Sequence, residues 1–119
     1  MASLDHLVKQ WLDLDQDVNT RKEIHDLAAA KDNDELERRL RTRITFGTAG
    51  LRSSMKAGFA HMNCVTVIQA SQGLADYILA EQRASTAREE KPSVVIGYDA
   101  RYNSEKFARL AAAAFLAKG

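Results

Sequence analysis

Apolar residues recur at helical spacing three times before residue 43. Leu4, Leu7, Val8, Trp11 and Leu12 share one side of a first predicted helix, with Ser3 placed to cap it. The polar run Asp13-Leu14-Asp15-Gln16-Asp17-Val18-Asn19 breaks that period. Thr20 and Glu23 then have capping-box spacing, and Ile24, Leu27 and Ala28 supply the stripe of a second helix. Asp32 with Glu35 repeats the start signal, Leu36 and Leu40 mark one face of a short third helix, and Arg38, Arg39 and Arg41 fall mostly on its other faces.

The period changes at Ile44-Thr45-Phe46, which are strand formers followed by a glycine-rich stretch. Asn63 is placed to cap a long helix from about Cys64 to Gln82. On it Val67, Ala70, Ser71, Leu74, Tyr77 and Ile78 share a side. Gly73 lies among them. A glycine inside a helix costs about 1 kcal/mol against alanine, so it is expected to permit close packing on a neighbour. Residues 83–93 read as a polar surface loop. The run Ser93-Val94-Val95-Ile96-Gly97-Tyr98-Asp99-Ala100-Arg101 is the clearest strand, its continuous apolar part expected to be covered on both faces. Asn103 or Ser104 caps a last helix, with Phe107, Leu110, Ala111, Ala114 and Phe115 on one side and Gly119 as its stop. The order of helix, loop, buried strand and helix is that of an α/β layer. One clear central strand is little sheet for a self-sufficient doubly wound fold.

Composition narrows the function. The 119 residues make one domain or part of one, with 45% apolar and 28% charged residues. A formal net charge of +1 argues against a nucleic-acid binder driven by bulk charge. Cys64 is the single cysteine, which leaves no disulfide framework and no cysteine-based zinc site. The longest apolar run, Leu110 to Ala117, is too short to span a bilayer, and Asp5 and His6 stand where a signal peptide carries basic residues. A soluble cytoplasmic protein without a membrane partner is expected.

Two places carry candidate chemistry. In Phe46–Phe59 the small residues Gly47, Thr48, Ala49 and Gly50 let a ligand approach the main chain. Their N–H groups suit an anion, and Arg52 adds a forked cation matched to phosphate oxygens. A plain β-turn beside a surface arginine is the other reading. At the end of the predicted strand, Asp99 and Arg101 precede a helix N-terminus, where ligands of open α/β sheets gather. There the other reading is an internal Asp99–Arg101 ion pair that orders the turn. Asp13, Asp15 and Asp17 begin like a calcium loop, but Val18 and Ile24 stand where glycine and glutamate belong, so they read as an acidic connector. His6, His25 and His61 lack metal-ligand spacing. Cys64 reads as a packed small side chain, and Ser53 and Ser54 carry no nucleophile signature.

Taken together, Phe46-Gly47-Thr48-Ala49-Gly50-Leu51-Arg52, Ala57-Gly58-Phe59-Ala60-His61-Met62-Asn63, the Gln69–Ile78 segment and Val94–Ala108 resemble the beginning of an α-D-phosphohexomutase, in the phosphoglucomutase/phosphopentomutase branch. The resemblance runs from about Trp11 to Lys118. It implies a helical N-terminal extension over 1–43. Residues 44–119 would form an incomplete three-layer α/β/α mixed-sheet domain, the first of four domains around a cleft. It implies transfer of a phosphoryl group between sugar hydroxyls through a phosphoserine and a sugar bisphosphate, with magnesium as cofactor and a phosphorylated hexose or pentose as substrate. It places Arg52 in the cleft, with Thr48 and Gly50 shaping its loop and Arg101 supporting it. The nucleophilic serine, the magnesium ligands and the sugar-recognition loop of that family fall outside these residues, so the isolated chain is expected to be inactive. A non-catalytic module binding an anion or a protein partner is the alternative. Ser53 stands where the family usually has glycine, so a positive φ at that position would strain the turn.

Overall fold

The computed structural model describes residues 3–47, 50–84 and 92–119. These form an α-rich fold with one small antiparallel sheet. The chain divides into two compact units at Thr66/Val67.

In the first unit, α1 (Leu4–Leu14), α2 (Val18–Ala29) and α3 (Asn33–Leu40) pack on one another. Ser3 caps α1 as its position suggests, its hydroxyl accepting from the His6 N–H at 3.2 Å. Asp32 likewise caps α3, accepting from Glu35 N–H at 3.4 Å. The cap of α2 is Asp17, not Thr20. Thr20 is diverted because its hydroxyl donates to the carboxylate of fully buried Asp15, whose other oxygen accepts from Asp17 N–H at 2.9 Å. The acidic connector is thus a local Asx-type turn, tied also to α2 through Arg21 and to the start of α4, where Cys64 Sγ donates to Asp17 Oδ2 at 3.4 Å. Leu36 and Leu40 face inward as expected and join Trp11, Ile24 and Phe59 in the core. Trp11 is fully buried and meets Phe59 edge to face, centroids 5.1 Å apart. Truncating a buried ring of that size ordinarily costs about 3–5 kcal/mol.

The expected strand at Ile44–Phe46 is shorter and shifted. Among the described residues, β1 (Phe46–Gly47) and β2 (Gly50–Leu51) pair, in the register Phe46↔Leu51 and Gly47↔Gly50. Ile44 instead donates its N–H to Phe59 O at 2.7 Å. Then α4 (Cys64–Ala84) begins at a reciprocal cap: Asn63 Oδ1 accepts from Thr66 N–H at 3.0 Å, and Thr66 Oγ1 accepts from Asn63 N–H at 3.1 Å.

The second unit contains the rest of α4 and α5 (Ser104–Lys118), with Lys118 Nζ 3.0 Å from Asp76 Oδ1. Three expectations change here. In the part of α4 that belongs to this unit, Ser71 and Ala75, four residues apart, are buried, whereas Leu74 and Tyr77 are exposed. A Cβ on Gly73 would meet nothing within 4 Å, so close packing does not explain that glycine. The run Val94–Ile96 is not a strand, and Val95 is 98% exposed. A strand is held by hydrogen bonds to its neighbours, and no strand among the described residues lies beside this one. Most of the loop expected at 83–93 lies outside the described residues.

Candidate functional site

Gly50 opens β2 with φ +88, a conformation that glycine adopts without the Cβ clash other residues would meet. Thr48 lies outside the described residues. Arg52 follows β2 directly; it is exposed and makes no ion pair with a described residue. Ser53 is not among the positive-φ residues, so the feared strain at that position is absent. Its hydroxyl is used instead: Oγ lies 3.2 Å from Ala60 O and 3.1 Å from His61 Nδ1.

What holds this segment is the loop that follows. Met62 N–H donates to Ser54 O at 3.0 Å. The Asn63 amide donates to Lys56 O at 2.9 Å and Gly58 O at 2.8 Å, gathering the loop against the start of α4. On its other side the loop sits on α3. Ala60 N–H donates to Arg39 O at 3.0 Å. Gly58 has φ +116, and a Cβ there would lie 2.5 Å from Arg39 O, so only glycine allows this approach. Glu23 of α2 accepts from Ala57 N–H at 3.3 Å and from the Arg39 guanidinium at 3.1 Å, while Glu35 takes Arg39 Nε at 2.9 Å. The hydrogen bond from Arg39, then that from Arg38, holds the Glu35 carboxyl below its ordinary value. The His61 imidazole is shifted down, by burial first and then by the positive charges of Arg39 and Lys56.

The segment's electrostatics have a plain sequence origin. No aspartate or glutamate occurs from Ile44 to Ala75, and Arg52 and Lys56 both lie in that interval. This acid-free stretch is the signal that strengthens an anion site beyond the glycines alone. Sequence reasoning named Ser53, His61, Glu23 and Arg39 but missed their pairings, Ser53 with His61 and Glu23 with Arg39 and Ala57, which join segments distant in the chain.

At the end of Val94–Arg101 the geometry favours the internal pair. Asp99 accepts from Arg101 N–H at 3.0 Å and meets Arg101 Nε at 3.2 Å, while Ser104 Oγ accepts from Asp99 N–H at 3.1 Å. These contacts, the Arg101 N–H foremost, lower the Asp99 pKa. The Arg101 side chain remains 88% exposed. An open pocket of about 650 Å³ lies here, lined by Asp99, Arg101, Asn103, Lys106 and Arg109 among others. Arg101 belongs to the second unit and Gly50 and Arg52 to the first. Among the described residues no group of three or more His, Cys, Asp or Glu side chains is placed to hold a metal ion. No helix among them is long and apolar enough to cross a membrane.

Residues 43–119 match the family model described as phosphoglucomutase/phosphomannomutase, alpha/beta/alpha domain I. The chain is 53% identical over 116 residues to a probable phosphoribomutase of Schizosaccharomyces pombe, covering 98% of this chain and 19% of that protein. It is 41% identical over 121 residues to a glucose 1,6-bisphosphate synthase of Mus musculus, covering 97% of this chain and 19% of that protein. It is 40% identical over 124 residues to a phosphopentomutase of Mus musculus, with 99% and 19% covered. The chain thus spans about a fifth of the length of the curated relatives it matches. No solved structure matches it. A domain-I match over most of the chain and these full-span similarities agree, and the chain belongs to the phosphoglucomutase/phosphomannomutase family of sugar-phosphate enzymes.

Proposed function

We propose that this chain is the opening portion of a phosphosugar mutase, and that the Gly50–Arg52 segment binds a phosphoryl group of a phosphorylated hexose or pentose. The observation that carries this reading is the exposed Arg52 guanidinium. It has no ion-pair partner among the described residues, sits beside a positive-φ glycine, and lies in a stretch free of carboxylates. A guanidinium with two parallel N–H donors neutralises a phosphate dianion in fixed geometry, and phosphoryl transfer depends mainly on such positioning and charge neutralisation. Thr48 and Gly50 would shape the bend, and Arg101 would support the same cleft in the complete protein. There, magnesium and a sugar bisphosphate would serve a serine-centred phosphoryl transfer; no step of it is assigned to residues of this chain. The names of the relatives, phosphoribomutase, phosphopentomutase and glucose 1,6-bisphosphate synthase, support a sugar-phosphate substrate.

The same reading makes residues 1–43 a helical extension and 44–119 an α/β/α layer in which Val94–Ile96 acquires strand neighbours. It carries a cytoplasmic location. The purified chain is expected to show no turnover in a coupled assay with glucose 1-phosphate, glucose 1,6-bisphosphate and magnesium. A titration with ribose 5-phosphate is expected to shift the amide resonances of Gly50, Leu51 and Arg52. Turnover by the chain, or resonances that stay in place at millimolar ligand, would count against the reading.

A second reading, a module that docks on a protein partner, is favoured by the apolar side chains left exposed in the second unit, Leu74, Tyr77, Val95 and Leu116 among them. A stable, monodisperse oligomer in size-exclusion chromatography would support it, and progressive aggregation would not.

A further inference from the structure

We propose that Ser53 and His61 form a latch that positions Arg52, and that protonation of His61 loosens it. Both are positioning residues, acting on the arginine through the backbone next to it.

The geometry is that of a strap tied to a fixed post. The post is Ala60–Met62, fixed to α3 by Ala60 N–H on Arg39 O at 3.0 Å and to the start of α4 through the neighbouring Asn63, whose amide gathers the preceding loop carbonyls. The strap is Arg52–Ser54. It meets the post at two successive residues, through Ser53 Oγ and through Ser54 O, which accepts from Met62 N–H at 3.0 Å. A hydroxyl has one proton. Ser53 Oγ satisfies both contacts when it donates to Ala60 O at 3.2 Å and accepts from a proton on His61 Nδ1 at 3.1 Å. A neutral ring with its proton on Nδ1 meets that demand. A glycine or alanine at position 53 has no hydroxyl with which to do so.

The charges around His61 make the latch sensitive to pH. Facing it are Arg39 and Glu35 from α3, Glu23 from α2, and Lys56 from its own loop. Both carboxylates are already bonded to Arg39, so a proton on the ring adds a positive charge beside Arg39 and Lys56 without a free counter-ion among these groups. Burial and the two cations together oppose the imidazolium, and a ring that does become charged gains by turning out to water. That movement removes the donor on Ser53 and frees the root of the Arg52 side chain.

The binding arm of the test rests on the phosphate reading; the motional arm does not. Sulfate is the probe, because its two charges do not titrate in this range. In the whole chain, ¹⁵N relaxation of the Leu51–Ser54 amides and the Arg52 Nε–Hε resonance under sulfate titration are followed from pH 8 to about pH 5, together with the His61 ring resonances. Order at Arg52 and Ser53 is expected to fall as the His61 ring titrates, and sulfate affinity to fall about fivefold, the equivalent of one ordinary hydrogen bond. Ser53→Ala is expected to give the loosened state at every pH, and Ser53→Thr, which keeps the hydroxyl, to restore the response. His61→Gln keeps an N–H donor and is expected to bind within about twofold of the parent while losing the pH response. A Ser53→Ala chain with parental relaxation and parental pH response overturns the latch. Sulfate binding that vanishes at all pH values while the relaxation still follows His61 leaves the latch standing and removes the phosphate reading.

Discussion

The Arg39 guanidinium reaches Glu23, sixteen residues earlier in the chain, at 3.1 Å, and the same Glu23 oxygen accepts from Ala57 N–H at 3.3 Å. One carboxylate therefore ties α2, α3 and the loop behind Arg52 together. The Arg39 side chain is only 13% exposed, and Ala57 is fully buried. Glu23→Ala is expected to leave a buried N–H without its acceptor and a largely buried cation with Glu35 alone. The expected cost is about 1–3 kcal/mol, set mainly by the orphaned amide. Urea unfolding followed at Trp11 measures it. A midpoint unchanged from the parent would mean that water or another acceptor takes over from Glu23.

Two glycines should respond in opposite directions to the same substitution. At Gly58 an added methyl meets Arg39 O at 2.5 Å, on a backbone with φ +116. Gly58→Ala therefore combines steric overlap with left-handed strain, an expected loss of about 2–5 kcal/mol. At Gly73 nothing lies within 4 Å. Gly73→Ala is expected to stabilise α4 by about 0.5–1 kcal/mol through the entropy of the unfolded chain. Thermal unfolding of the two variants beside the parent reads both signs. A neutral Gly58→Ala would show that the loop can lift from α3 at no cost.

The contrast between the units explains what the sequence discloses. Helices of the first unit are legible because caps and apolar stripes are local, and because α1, α2 and α3 bury one another. Even the misplaced start of α2 has a local cause, since Asp15 takes the Thr20 hydroxyl. The strand expected at Val94–Ile96 is different. Its apolar run is real, but burial depends on neighbouring strands, and the run alone does not supply them. The glycines and Arg52 are likewise visible in the chain order. The ties behind them, Ser53 with His61 and Glu23 with Arg39, are not, because no periodicity brings side chains together across different elements.

Acid should weaken the fold in a window set by His61. Its pKa is lowered in the folded chain from an ordinary value of 6.5, by burial first. Above that value the ring is neutral in both states and contributes nothing to pH dependence. As pH falls below it, the unfolded chain takes the proton first, so stability declines until the folded pKa is passed. Glu35, Glu37 and Asp99 have lowered values instead, and their stabilisation is lost only at more acidic pH, as pH falls through their folded values. Urea midpoints from pH 7.5 down to about pH 5 should therefore fall in the parent and stay nearly level in His61→Gln. Identical slopes in the two proteins would assign the effect to another group.

Val95 offers the sharpest test of the second unit. It is 98% exposed, with Val94 at 42%, in the segment expected from its sequence to be a doubly covered strand. Were Val95 packed between layers, replacing it with threonine would bury a hydroxyl and lose apolar contact, a change that volume alone does not excuse. At its observed exposure there is little apolar burial to lose. Val95→Thr is expected to change stability by less than about 0.5 kcal/mol, as surface substitutions usually do. The amides of 94–96 are expected to exchange with solvent at rates near those of an unstructured chain, because no ladder protects them. Slow exchange there, or a loss above about 1 kcal/mol, would mean that the segment finds strand neighbours in solution, by self-association or otherwise. Repeating the exchange measurement over a range of protein concentrations separates those cases, since protection gained from a second chain grows with concentration and protection within one chain does not.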